Sequence, residues 1–261
     1  MNGAAARFLD SDLWVSFKRN PQVIGAAVFA AILIAGAVFA PWVAPHRPFD
    51  LASLSLNDSM LPPAWNPQGR LAYALGTDDQ GRDVLSTILY GSRISLLVGL
   101  ASVLFASTLG VTLGLLSGYV GGRLDALLMR VADIQLSFPA ILIALLVDGI
   151  ARAALPRGAH DERLAIAVLI GSIGLANWVQ YARMVRGSTM VEKRKEYVQA
   201  ARLIGVSRWS IMLRHVFPNV TGPVLVIATI NIATAILTEA TLSFLGVGVP
   251  QTTPSLGTMI S

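Results

Sequence analysis

Cysteine is absent from this 261-residue chain. Its absence excludes disulfides, zinc–thiolate sites and thiol nucleophiles, and assigns no compartment. Lysine is nearly absent too: Lys18, Lys193 and Lys195 are followed by Arg19, Arg194 and Glu196, so the GK[ST] step of a P-loop is missing. The three histidines, His46, His160 and His215, stand apart with no second His at ligand spacing, which argues against a metal site built from this chain. No serine sits in a GxSxG or related hydrolase context. Charge itself is scarce, at 13% of residues against about 25% in a soluble domain. Hydrophobic residues make up 54%, and the mean hydropathy is +0.63. These shortages exclude a soluble enzyme and point to a membrane protein. The net charge of +5 forms no stripe on a soluble fold. It lies in loops between apolar runs, so no nucleic-acid partner is expected.

What is present is a series of long uncharged runs, which predict an all-α membrane protein. The first, 23–44, has 22 residues without a charge. That exceeds the ~7–15 apolar residues of a secretory signal and fits an uncleaved anchor. The second, 94–120, carries Gly99, Ser102, Ser107, Gly110 and Gly114, small residues that let membrane helices approach closely. A third span is expected over 125–150, with Arg130 and Asp133 on one face near its start. A fourth covers 164–182, and a fifth 222–249 with Glu239 inside it. Three regions follow. Residues 1–20 form a terminal segment in which Leu9, Leu13, Trp14 and Phe17 suit an interfacial helix or a plain tail. Residues 21–93 hold the first helix and a long Pro- and Asn-containing loop (PPAWNP) that returns to helix near Asp83. Residues 94–261 form the core, with a polar loop at 187–219. Placing the N-terminus inside puts thirteen Lys and Arg in inner segments against seven in outer ones, which sets the N-terminus and the 187–219 loop in the cytoplasm.

Within that loop, EYVQAARLIGVSRWSIMLRHVFPN (196–219) reads as helix, turn, helix. Residues 197–204 are helix formers, and Gly205 stands where a left-handed cap ends the helix. Val206 is then placed to fold back over the preceding turn. Ser207 caps a second helix that Pro218 is expected to stop. Ala200 and Ala201 keep one face thin for close approach by a partner. Arg202, Arg208 and Arg214 suit acidic groups on a partner or lipid phosphate. A plain basic connector is the alternative, and the spacing argues against it.

Ala200, Ala201, Gly205 and Pro218 at this spacing resemble the EAA loop of membrane subunits of ATP-binding-cassette (ABC) importers. EYVQAAR with RHVFPN is similar to the dipeptide and oligopeptide branch, in its C-type subunit. So are GTDDQGRDVLSTILYGSRISLLVG (76–99), DALLMRVADIQLSFPA (125–140) and LTEATLSFLGVGV (237–249). Gln199 replaces the Glu of the motif's name, and His215 and Phe217 replace Ile and Leu. The resemblance implies a type I importer permease fold with five transmembrane helices in this chain, the family's sixth being absent, by truncation or as a real feature of the subunit, with truncation the favoured expectation. It implies a non-catalytic, multi-pass subunit of a prokaryotic inner membrane that binds no cofactor itself. ATP and Mg belong to two cytoplasmic ATPase partners; a second permease completes a heterodimer, and a periplasmic or lipid-anchored binding protein delivers cargo. The same resemblance assigns Glu196, Tyr197, Ala200, Ala201, Arg202, Gly205, Arg214, His215, Pro218 and Asn219 to ATPase coupling, and Glu239, Ser243 and Phe244 to the pathway. Peptides are the expected cargo, with glutathione or nickel complexes as alternatives. A proton-coupled carrier using Glu239 and Asp148, or a non-transporting scaffold, are rivals of other classes. Near the outer surface, Asp78, Asp79, Arg82 and Asp83 suit plain interfacial anchoring, or a docking edge for the binding protein that includes Asp79 and Asp83; Arg82 and Arg93 share one helix face if the helix starts that early.

Overall fold

A computed structural model describes residues 17–48, 50, 56–154, 162–250 and 253–260. The expected interfacial positions Leu9, Leu13 and Trp14 lie outside them. The described elements are helices, with one isolated β-bridge between Thr77 and Asp83. Contacts divide the chain into two compact units, between Arg93 and Ile94.

In the first unit, helix α1 (Pro21–Val38) starts on the Asn20 side chain, which accepts from the backbone N–H groups of Gln22 and Val23. Val28, Phe29, Ile32 and Ile34 are all exposed, as expected of a helix apolar on all sides and facing lipid. The expected run through residue 44 is broken at Phe39. Pro41 has no N–H to continue the ladder, and the chain restarts as the short α2 (Ala40–Val43).

Residues 56–83 fold back on themselves. Met60 N donates to Asp78 O at 2.9 Å, Thr77 N to Leu61 O at 3.0 Å, and Leu61 N to Thr77 Oγ1 at 2.9 Å. Gly76 makes this possible: its φ is +84°, and a Cβ there would stand 2.3 Å from the Leu61 carbonyl oxygen. Asp83 then caps α3 (Val84–Val120), accepting from Ser86 N at 3.0 Å, and is buried. The return to helix near Asp83 is therefore observed, while the docking edge expected there changes. Asp83 is turned inward as a cap, and only Asp79 of that pair is exposed. Arg82 precedes the helix and pairs with Asp78 at 2.6 Å, so it shares no helix face with Arg93.

Helix α3 has 37 residues, about 55 Å at 1.5 Å per residue. That exceeds the ~30 Å hydrocarbon core. The expected third span is not one helix. It is α4 (Gly122–Leu136) and α5 (Ala140–Ala154), bent by 98°. Pro139 causes the break, since proline disfavours the helical conformation in the residue before it and cannot donate to the previous turn. Helix α6 (Glu162–Glu192) runs ten residues past the expected end at Ala182. The chain then continues as α7 (Glu196–Leu203), α8 (Arg208–Ile211), a π-helical stretch (Met212–Val216) and α9 (Phe217–Phe244). Among the described residues, four helices are long and apolar enough to cross a membrane, or five if the bent pair counts as one span.

In the second unit, α3 and α6 meet along a stripe of glycines. A Cβ at Gly110, Gly114 or Gly118 would lie 2.4, 2.5 or 2.8 Å from the carbonyl oxygens of Trp178, Ala182 and Arg186. The backbones are in direct contact, as the small residues of that span predict. Val98, Leu169, Ile173, Tyr181 and Leu242 form the buried core beside this seam.

Candidate functional site

Two places concentrate the sequence-predicted residues: the loop around α7 and α8, and the C-terminal end of α9.

Helix α7 ends as Gly205 requires. Gly205 has φ +80°; its N–H donates to Arg202 O at 3.1 Å and Val206 N–H to Ala201 O at 3.0 Å, the paired bonds of a Schellman motif. Val206 packs back onto the loop's core. Ser207 caps α8, accepting from Ser210 N at 3.3 Å. Beneath these short helices, Val198, Ala201, Ile211, Met212, Val216 and Val220 are buried together with Leu115 of α3 and Val185 of α6. The loop is therefore mounted on two long helices. This separates the two alanines: Ala201 points into the chain's own core, and only Ala200 faces outward. The surface left for a partner is Glu196 and Ala200 with Leu203 and Ile204, all exposed, and Arg202 and Trp209 are exposed beside it.

Tyr197 ties this surface to α9. Its hydroxyl donates to the Glu192 carboxylate and accepts from Asn219 Nδ2 at 3.1 Å, and its ring stacks on His215 at 6.5 Å. Asn219 Nδ2 also donates to His215 O at 2.7 Å. Burial, then the hydrogen bond to Glu192, push the Tyr197 phenol up to about 12, so it remains a protonated donor. Lys195 completes the cluster, 2.8 Å from Glu192.

The expected helix stop at Pro218 is overturned. Residues Arg208–Phe244 form one continuous helical rod. Phe217 N–H reaches back five residues to Met212 O, closing the π turn. Pro218 then falls in the first turn of α9, where no N–H is needed. Arg214 and Pro218 are exposed on this rod, and His215 is half-buried.

At the C-terminal end of α9, Glu239 is fully buried. Its Oε2 accepts from Ser95 Oγ at 2.6 Å and its Oε1 from Ser243 Oγ at 2.7 Å. Each serine oxygen accepts in turn, Ser95 from Leu256 N and Ser243 from Val249 N, both at 3.2 Å. Two chains of donors thus converge on one carboxylate and fasten the returning segment to α3 and α9. Asp148 serves the same segment. It is buried and pairs with Arg152 at 2.6 Å, and Arg152 Nη2 donates to Val247 O and Gly248 O at 2.8 and 2.7 Å. Glu239 through its serines, and Asp148 through Arg152, thus hold the turn after α9, while Phe244 is exposed. Ser95 and Arg152 carry this arrangement, and no spacing in the sequence pairs Ser95 with Glu239 or Arg152 with residues 247–248.

Residues 110–261 match the family described as binding-protein-dependent transport system inner membrane component. Residues 10–63 match the N-terminal TM domain of oligopeptide transport permease C. A dipeptide transport system permease protein of Haemophilus influenzae is 39% identical over 250 residues, covering 96% of this chain and 80% of the relative. A di/tripeptide transport system permease protein of Pseudomonas aeruginosa is 38% identical over 251 residues, with 96% and 78% covered. A glutathione transport system permease protein of Pectobacterium atrosepticum is 36% identical over 253 residues, with 96% and 77% covered. The glycine-seamed helices and the π-turned rod above are thus those of a permease, and the chain belongs to the inner-membrane components of binding-protein-dependent ABC transport systems, in the oligopeptide permease C branch.

Proposed function

We propose that this chain forms half of the translocation pathway of an ATP-driven importer of di- and oligopeptides. In this reading a second, related permease completes the pathway, a substrate-binding protein delivers the peptide, and two cytoplasmic ATPases bind the 187–219 loop. The chain hydrolyses nothing itself. The observation that carries the reading is the mounting of α7. It exposes Leu203 and Ile204 to a partner, while its underside and Tyr197 are fixed to the rod that becomes α9. A displacement at the exposed face therefore reaches a membrane-crossing helix with little loop freedom between them. The double use of Glu239 and Asp148 as fasteners favours this mechanical role over a proton-coupled one.

Purified with its ATPases and reconstituted with its binding protein, the wild-type complex is expected to import dipeptide only with ATP. Import that continues without ATP and stops when the proton gradient is collapsed would overturn the reading. Cargo is tested separately, by competition of dipeptides against glutathione for the cognate binding protein; a preference for glutathione would replace the peptide assignment and keep the permease role.

A further inference from the structure

A cavity of about 680 Å³ opens between the end of α3 and the α7–α8 loop, lined among others by Tyr119, Val120, Arg202, Arg208, Trp209 and Met212. Its chemistry is two-sided. Val120, Trp209 and Met212 supply apolar wall, and Val120 and Trp209 are exposed. The two guanidiniums have no carboxylate partner among the described residues. Arg202 is directed toward the membrane helix, its guanidinium carbon 5.6 Å from the centre of the Tyr119 ring. The surrounding field is positive as well. Lys193, which donates to Gly118 O at 2.5 Å, is held below the usual lysine range first by burial and then by Arg202 and Arg194.

We propose that this cavity binds one anionic phospholipid of the inner leaflet, with the phosphodiester between Arg202 and Arg208 and the first acyl methylenes along Val120, Trp209 and Met212. The site lies where the uncharged run of α3 ends at Val120 and the chain turns at Gly121 and Gly122. That is the level at which Trp, Tyr and Arg meet headgroups. An acidic side chain of the ATPase would satisfy the arginines but would leave the apolar wall exposed. A lipid covers both. The inference rests on the cytoplasmic placement of the loop, and it makes the coupling surface sensitive to the charge of the inner leaflet.

The test uses the whole transporter, permeases with ATPases, in detergent. Dioleoyl-phosphatidylglycerol and dioleoyl-phosphatidylcholine are titrated and retention is read by native mass spectrometry. The expected result is one phosphatidylglycerol retained about tenfold more tightly than phosphatidylcholine, with the preference lost in Arg202→Gln/Arg208→Gln and kept in Arg130→Gln, which removes an exposed guanidinium outside the cavity. A second readout needs no arginine variant. Phosphatidylglycerol brominated near the headgroup should quench wild-type fluorescence more than it quenches Trp209→Phe. Equal retention of the two lipids, or displacement of phosphatidylglycerol by inorganic phosphate, would overturn the proposal, the latter in favour of free phosphate. Retention by the permeases that disappears when the ATPases join would give the cavity to the ATPase instead. If the ATPases fail to co-purify with wild type at all, it is the coupling reading that has failed.

Discussion

Gly205 has no heavy atom within 4 Å of the place a Cβ would occupy. Space is therefore free there, and the demand is for φ +80° alone. An L-residue in the left-handed region costs about 1–2 kcal/mol, and more when β-branched, whereas Asn tolerates it. Gly205→Val is expected to abolish most transport and weaken ATPase co-purification at unchanged membrane level, and Gly205→Asn to keep most of both. Equal behaviour of the two variants would show that the turn's conformation is not what matters. Glu239 is the opposite case, a residue defined by its partners. Removing its carboxylate in Glu239→Ala strands the Ser95 and Ser243 hydroxyls, at about 1–3 kcal/mol for each buried group left unsatisfied. The complex should melt several degrees lower, and a cysteine at Thr258 should become more reactive to thiol reagents. Unchanged melting and unchanged reactivity would remove the fastening role. The capping glycine was legible because a positive φ leaves a signature in residue type. The fastening was not, because Ser95 lies 144 positions from Glu239 and a serine in an apolar run carries no mark of its partner.

Among the elements, two prolines show what a sequence pattern withholds. Pro139 breaks the expected third span into α4 and α5, in keeping with the ordinary effect of proline on the residue before it. By the same rule Pro218 should end a helix, and it does the reverse, because the π turn ahead of it places it in the first turn of α9 within one continuous rod. A π turn inserts one residue into an α-helical register, and its sequence, MLRHV, has no feature that separates it from an ordinary helical turn. The small-residue run of α3 was legible, since helix backbones in contact leave room only for glycine. Inserting one alanine between Val216 and Phe217 tests the register across the π turn directly. One further α-helical residue turns α9 by about 100° relative to α7 and separates Tyr197 from Asn219. ATP hydrolysis by the assembled complex should persist while peptide import falls at least about tenfold, a loss of about 1.4 kcal/mol of coupling. Import that keeps pace with hydrolysis would mean that the register across the π turn transmits nothing.

For the whole chain, the bent pair decides which side of the membrane the coupling loop occupies. Counted as one crossing, α4 and α5 give five spans; counted as a re-entrant pair they leave four. With the N-terminus inside, five spans bring residues 183–215 to the cytoplasm and four put them outside. Geometry alone leaves both open, because α5 has 15 residues, about 22 Å, short of the ~30 Å core. Charge separates them. Residues 183–215 carry eight Lys and Arg, and holding so many basic residues outside runs against the positive-inside bias. The crossing reading is therefore preferred. Its test is clean because the chain contains no cysteine. Ser207 and Gln68 are both exposed, so a single cysteine at either position is reachable from whichever side it faces. In intact spheroplasts, Gln68→Cys should react with a membrane-impermeant maleimide and Ser207→Cys should react only after permeabilisation. Labelling of both from outside would make α4 and α5 a re-entrant pair, move the α7–α8 surface away from any cytoplasmic ATPase, and remove the coupling role together with the inner-leaflet lipid site.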